Sequence, residues 1–164
     1  MNVLAFIAKK APKNKADLAF IQNMIHTLAD DGVLAVVLPH GVLFRGGSEL
    51  EIRKTLIEKN YLDTVIGLPA NLFFGTAIST SILVFKKCRK RKVNEEKDNI
   101  LFIDASKEFN QEGKKNVLTE ENIEKIINTY GKREKVEHYS YLASLEEIKE
   151  KEYNLNIASY IAPL

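Results

Sequence analysis

The sequence predicts an α/β domain built around a mixed sheet. Three observations carry this: strand-length apolar runs bounded by glycine and proline, helical stripes between them, and one strand-to-strand connection too short to hold a helix.

Asn14 and Asp17 suit the start of a first helix, a cap followed by an acid in the first turn. Leu18, Ile21, Ile25 and Leu28 then mark one apolar stripe that ends at Asp30-Asp31-Gly32. "VLAVVLP" (33–39) is nearly all apolar, the pattern of a strand buried on both faces. "HGVLFRGG" reads as a loop, and Ser48 with Glu51 as a capping box for a helix reaching about Lys59. "LDTVIGLP" (62–69) marks a second buried strand near 61–68, and "TSILVFKK", within 79–87, a third. Only about ten residues separate these two, so the third is expected to be antiparallel rather than joined by a crossover helix. Residues 86–99 read as an exposed connection and "ILFIDAS" as another short strand. "LTEENIEKIINTYGKR" is a helix capped by Thr119, acidic at Glu120 and Glu121, and expected to end at Gly131. Its stripe is Ile123, Ile126, Ile127 and Tyr130. Ser144 with Glu147 opens a last short helix.

Composition is that of a globular domain: 164 residues, 45% hydrophobic and 28% charged, which is length enough for a core without staples. No apolar run reaches the ~18 residues of a membrane span. The lysines of "MNVLAFIAKK" follow the apolar stretch, the reverse of a secretory signal. The single cysteine, Cys88, forms no disulfide framework and fits a reducing compartment. The expectation is a cytoplasmic protein with no membrane partner. A net charge of +2 is too mild to imply nucleic acid by itself.

The usual chemistries find no footing in the motifs. His26, His40 and His138 are far apart in sequence, so no zinc spacing exists. There is no nucleophile elbow, Walker-type phosphate loop or dinucleotide fingerprint. Gly46-Gly47 precedes a helix, where backbone amides hold anions in other proteins; it reads here as a loop leading into a capped helix. Lys86, Lys87, Arg89, Lys90, Arg91 and Lys92 place six cations in seven positions, a phosphate-contacting run or a solvated linker. His40, between Pro39 and Gly41 at the end of a predicted strand, is either a structural histidine or the edge of a pocket, because ligands of open α/β sheets bind beyond strand ends.

Several stretches taken together resemble one family. They are "APKNKADLAFIQNMIHTLADDGVLAVVLPHGVLFRGG", "EIRKTLIEKNYLDTVIGLPANLFFGTAISTSILVFKK", "ILFIDASKEF", "LTEENIEKIINTYGKR" and "YNLNIASYI". This series, from about Ala11 to Ile161, is similar to the modification subunit of type I restriction–modification systems, the adenine-N6 DNA methyltransferases.

The resemblance implies a partial S-adenosylmethionine-dependent methyltransferase-like sheet. Residues 1–104 would be the C-terminal half of that domain and 105–164 a helical C-terminal extension. The partners it implies are DNA and the specificity and restriction subunits. A target base must leave the duplex before its amino nitrogen can be reached. The resemblance places Phe73 or Phe74 against that base, with Gly75 and Thr76 shaping the turn. The residues alone leave a second reading, in which one ring plugs the core and the other covers the loop.

The family's asparagine-proline-proline-phenylalanine/tyrosine motif does not occur: Pro12, Pro39, Pro69 and Pro163 are never adjacent. Its glycine-rich cofactor loop is absent too. The resemblance thus makes this a C-terminal part of such a subunit, expected to bind no cofactor and to be inactive alone. S-adenosylmethionine belongs to the intact family. On the same reading "VLAVVLP" becomes an apolar sheet edge, covered by "MNVLAFIA" within the subunit or across a homodimer. The alternatives are a non-catalytic DNA- or protein-binding module and an unrelated small α/β enzyme.

Overall fold

A computed structural model describes residues 17–73, 77–91 and 98–163, without the side chains of residues 90 and 91. Its centre is a five-stranded mixed sheet in the order β1-β3-β2-β4-β7. The strands are β1 (Val33–Pro39), β2 (Leu62–Gly67), β3 (Thr80–Lys86), β4 (Asn99–Asp104) and β7 (Ser140–Ser144). β3 lies antiparallel between β1 and β2, as the short connection requires, and β2 runs parallel to β4. β7 closes the other side, antiparallel to β4. Residues 105–164, expected as a helical extension, hold two helices and three strands as well: β7, and the separate hairpin β5 (Asn110–Glu112) and β6 (Lys115–Val117).

One face of the sheet packs on α1 (Asp17–Thr27) and α2 (Ser48–Glu58). Val65, Leu83, Phe85, Ile100 and Phe102 meet helix residues Ile21, Ile25, Ile52 and Leu56, together with Leu155 and Ile157 from the chain's end. Gly67 makes room for this fit: a Cβ there would lie 2.6 Å from Ile157 Cδ1 and would push the end of that side chain aside. The opposite face packs Ile66, Leu101 and Ile103 under Ile126 and Tyr130 of α3 (Glu120–Lys132). The short α4 (Leu145–Glu150) adds Ile148 to the first layer.

The structure differs from expectation in four further places. β1 is not buried on both faces: Val33 and Val37 are 54% and 50% exposed and alternate with half-buried Leu34, Val36 and Leu38. Among the described residues, helices cover one of its faces and only β3 pairs with it. The Ser48–Glu51 capping box does not form. Gly47 caps α2 at φ +66°, a left-handed conformation that suits glycine, and no side chain bonds there. α3 does not stop at Gly131; Arg133 takes the left-handed cap position at φ +51°. Finally, Ile123 and Ile127 of the α3 stripe are exposed, while Ile126 and Tyr130 pack inward. Asn14 and the segment "MNVLAFIA" lie outside the described residues.

Candidate nucleic-acid interface

β1, β2 and β4 end at the same edge of the sheet, since β1 and β2 both oppose β3 and β2 parallels β4. Three connections leave that edge, and each carries a well-exposed phenylalanine: Phe44 after β1, Phe73 after β2 and Phe109 after β4. Rings that stay 37–46% exposed forgo part of the roughly 1.5–3 kcal/mol that full burial gives, so three on one edge leave apolar surface open to a partner.

Phe73 is 43% exposed and belongs to neither apolar cluster. The base of its loop is closed by the Leu68 N–H, which donates to the Thr80 carbonyl at 3.0 Å. Phe74 and Thr76 lie outside the described residues.

Pro39 ends β1, and His40 and Gly41 open a 3₁₀ turn, His40–Leu43. The His40 ring is clamped on both sides: Nδ1 lies 3.1 Å from Ser81 Oγ and Nε2 3.3 Å from Asn156 Oδ1. An amide oxygen only accepts, so in the neutral ring Nε2 carries the hydrogen and Nδ1 accepts from the serine. Phe44 meets His40 edge-on, with 5.8 Å between ring centres.

Below this turn lies Arg53, a buried cation that the sequence reading missed. It donates to the carbonyls of Val42, Arg45 and Tyr153 at 2.8–3.0 Å, tying the β1 loop to the C-terminal strap. Burial lowers its pKa, with Glu49 opposing that shift. Glu49 is itself buried in the first turn of α2, 2.9 Å from Arg45 Nε. A carboxylate at that helix start already answers the helix dipole, which argues against an anion site at Gly46-Gly47.

The basic run faces the other way. Arg89 reaches Asp63 at 2.7 Å and the Asn60 and Asn99 carbonyls at 3.2 and 2.8 Å. Lys87 Nζ donates to the carbonyls of His26 and Leu28. Lys86 lies 3.6 Å from Asp63 and over the Tyr130 ring. The side chains of Lys90 and Arg91, and all of Lys92, lie outside the described residues.

Asp63, also missed, organises this cluster from a register shift in β2 between Leu62 and Thr64. A bulge of this kind re-aims a side chain. Arg133 joins it at 3.2 Å. Burial pushes the Asp63 carboxyl up, but the Thr64 hydroxyl and the two guanidinium groups outweigh burial and hold it below the usual carboxylate range. Arg53 and Glu49 were visible in principle, because both fall on the buried helical stripe 49-52-53-56-57.

The fold and this edge define a class: an α/β domain with a mixed sheet whose parallel strand ends display aromatic rings. The chain belongs to the N-6 DNA methylase family, whose model matches residues 4–164. It is 42% identical over 151 residues to the type I restriction enzyme MpnII methylase subunit of Mycoplasma pneumoniae, covering 92% of this chain and 27% of that protein. To the MjaVII methylase subunit of Methanocaldococcus jannaschii it is 38% identical over 156 residues, 93% of this chain and 26% of that protein. The solved methyltransferase subunit of a type I restriction–modification system from Streptococcus thermophilus matches with a TM-score of 0.85 at 51% identity, over 92% of this chain and 31% of that one. The chain therefore spans between about a quarter and a third of the length of these relatives.

Proposed function

We propose that this chain is the target-base side of an adenine-N6 DNA methyltransferase, the modification subunit of a type I restriction–modification system. The observation that carries the reading is the loop after β2. It leaves the ligand-facing edge of the sheet, is closed at its base, and holds Phe73 exposed instead of in the core. Phe73 would stack on the extruded adenine, with Phe74 and Thr76 of the same loop beside it. The clamped turn Pro39-His40-Gly41 would form the neighbouring wall. Lys86, Lys87 and Arg89 act in this reading as internal ties and not as phosphate contacts, since each cation already has an acceptor or a carboxylate within the chain.

In the family, S-adenosylmethionine supplies the methyl group. Two depressions and the clamped His40 turn, all among the described residues, offer it no cradle. Both His40 nitrogens are taken by protein partners. The pocket at the end of β4, lined by Asp104, Lys107 and Tyr139, has about 130 Å³, below the usual 300 Å³ or more of ligand sites. A larger depression of about 420 Å³ beside α3 offers Glu121, Glu124 and Glu134 but no glycine-rich backbone. We therefore expect the chain alone to bind no S-adenosylmethionine and to incorporate no labelled methyl into adenine. Micromolar binding by titration calorimetry would overturn that. Specificity and restriction subunits, DNA and a cytoplasmic setting belong to the same proposal. Among the described residues no helix is long and apolar enough to cross a membrane.

The test of the base contact is Phe73→Ala. Stacking on an aromatic ring is worth roughly 1–3 kcal/mol per base. Affinity of the chain for a single-stranded oligonucleotide should fall about 5- to 150-fold. An unchanged affinity would sink the reading.

A second reading rests on one specific observation, the half-exposed outer face of β1 at the sheet's edge. That face would serve as a protein interface, through which two copies of the chain pair. Sedimentation across a concentration series tests it, and a monomer throughout would dismiss it.

A further inference from the structure

The hairpin β5–β6 follows β4, and one of its residues, Asn116, bonds the loop that carries Phe73. Its side-chain Nδ2 donates to the Ala70 carbonyl at 2.7 Å. Its backbone N–H donates to the Asn71 carbonyl at 3.1 Å. Two consecutive carbonyls, two and three residues before Phe73, are therefore fixed by one asparagine.

The hairpin is built to make this contact. Its two-residue turn, Gly113-Lys114, starts with Gly113 at φ +64°, the conformation a tight primed turn asks of glycine. The pairs Asn110–Val117 and Glu112–Lys115 flank the Gln111–Asn116 pair. Alternate residues of an antiparallel pair direct their backbone groups outward, so Asn116 is free to bond beyond the hairpin. Leu118, just after β6, and Leu72, just before Phe73, pack on the same apolar cluster. Asn71 sits at φ +55°, the left-handed conformation that asparagine tolerates better than other non-glycine residues and that suits a turn.

We infer that the hairpin is a brace and that Asn116 is a positioning residue, which sets where the Phe73 ring stands when a base arrives. This rests on the reading that Phe73 meets the target base. Outside that reading, a polar, exposed hairpin would have little reason to spend a side-chain amide on a loop carbonyl. Asn116 acts through Phe73 and does not itself touch the base.

The experiment compares Asn116→Asp, Asn116→Ala and Phe73→Ala with the natural chain. Asn116→Asp is isosteric but sets a carboxylate oxygen against the Ala70 carbonyl; Asn116→Ala deletes the donor without adding charge. One readout is amide hydrogen exchange across residues 68–79. The other is quenching of a single 2-aminopurine in a single-stranded oligonucleotide at saturating protein, which a loss of stability alone does not change. Both Asn116 variants should speed exchange in the loop about tenfold, leave exchange in β2, β3 and β4 as it was, and reduce the quench toward that of Phe73→Ala. Unchanged loop exchange overturns the brace. Faster exchange with a full quench, while Phe73→Ala loses it, overturns the positioning role and leaves the base contact standing. A full quench in Phe73→Ala defeats the base contact itself, and the positioning role with it.

Discussion

β1 and β4 both have an apolar middle, "VLAVVLP" against "NILFID", yet they live in different surroundings. Ile100, Leu101, Phe102 and Ile103 of β4 are all buried, with α2 and the C-terminal strap on one side and α3 on the other. β1 has a covered face and an open one. An apolar run reports the burial a strand is suited to and says nothing of whether a neighbour is present. The covered and open halves of this sheet thus make different predictions for substitutions of the same kind.

The largest effect belongs to the covered half. Phe102 is fully buried and stacks on Tyr160 with 4.1 Å between ring centres and 15° between planes. Phe102→Ala removes that contact and leaves a cavity between strand and strap, for a loss of about 3–5 kcal/mol. Urea unfolding at neutral pH reads it directly. A loss under 1 kcal/mol would mean that the strap is not part of the core.

Much of this covered half was legible beforehand. Strands β2 and β4, the antiparallel β3 and the cap at Thr119 follow from local chemistry that tertiary packing leaves intact, whereas β7, "SYLAS", was not foreseen as a strand. What escaped was either polar or long-range. "NQE" and "KNV" carry no apolar alternation, so no periodicity marks β5 and β6 as strands. Arg133 holds a left-handed cap because its guanidinium is drawn to Asp63 and Asn99, partners 70 and 34 residues away. At the candidate interface, adjacent phenylalanines in a turn flagged the β2 loop, but nothing local links Asn116 to it. His40 was noticed for its place at a strand end; its clamp by Asn156 needs the whole chain folded.

A middle-sized effect sharpens the comparison at Asp63, where the covered half ends in charge. Asp63 is 3% exposed; when it is lost, Arg89 keeps its bonds to Asn60 and Asn99, while Lys86 and Arg133 are partly solvated and screen themselves. Asp63→Asn should therefore cost about 1–3 kcal/mol at neutral pH, less than breaking a fully buried pair. The sign with pH follows from its lowered pKa. Its stabilisation is complete above the ordinary value of 3.8 and is lost as pH falls through the lower, folded value. The gap in stability between the natural chain and Asp63→Asn should close below pH 3.8. A gap that persists in acid would assign the effect to packing instead of charge.

The smallest effect is the most informative about the open half. Val37 points out of β1 on the uncovered face, so Val37→Lys should change the stability of dilute chain by no more than about 0.5 kcal/mol. Lysine is in fact what many edge strands carry to discourage pairing. The same change at Val65, buried on the covered face, should be severe, because an unpaired ammonium would enter the core. If copies of the chain pair through β1, the natural protein should gain stability with concentration by mass action and Val37→Lys should not. Thermal unfolding across a hundredfold range of concentration separates the cases. Should Val37→Lys destabilise dilute protein as much as Val65→Lys does, the face is already covered within a single chain and the contrast between β1 and β4 disappears.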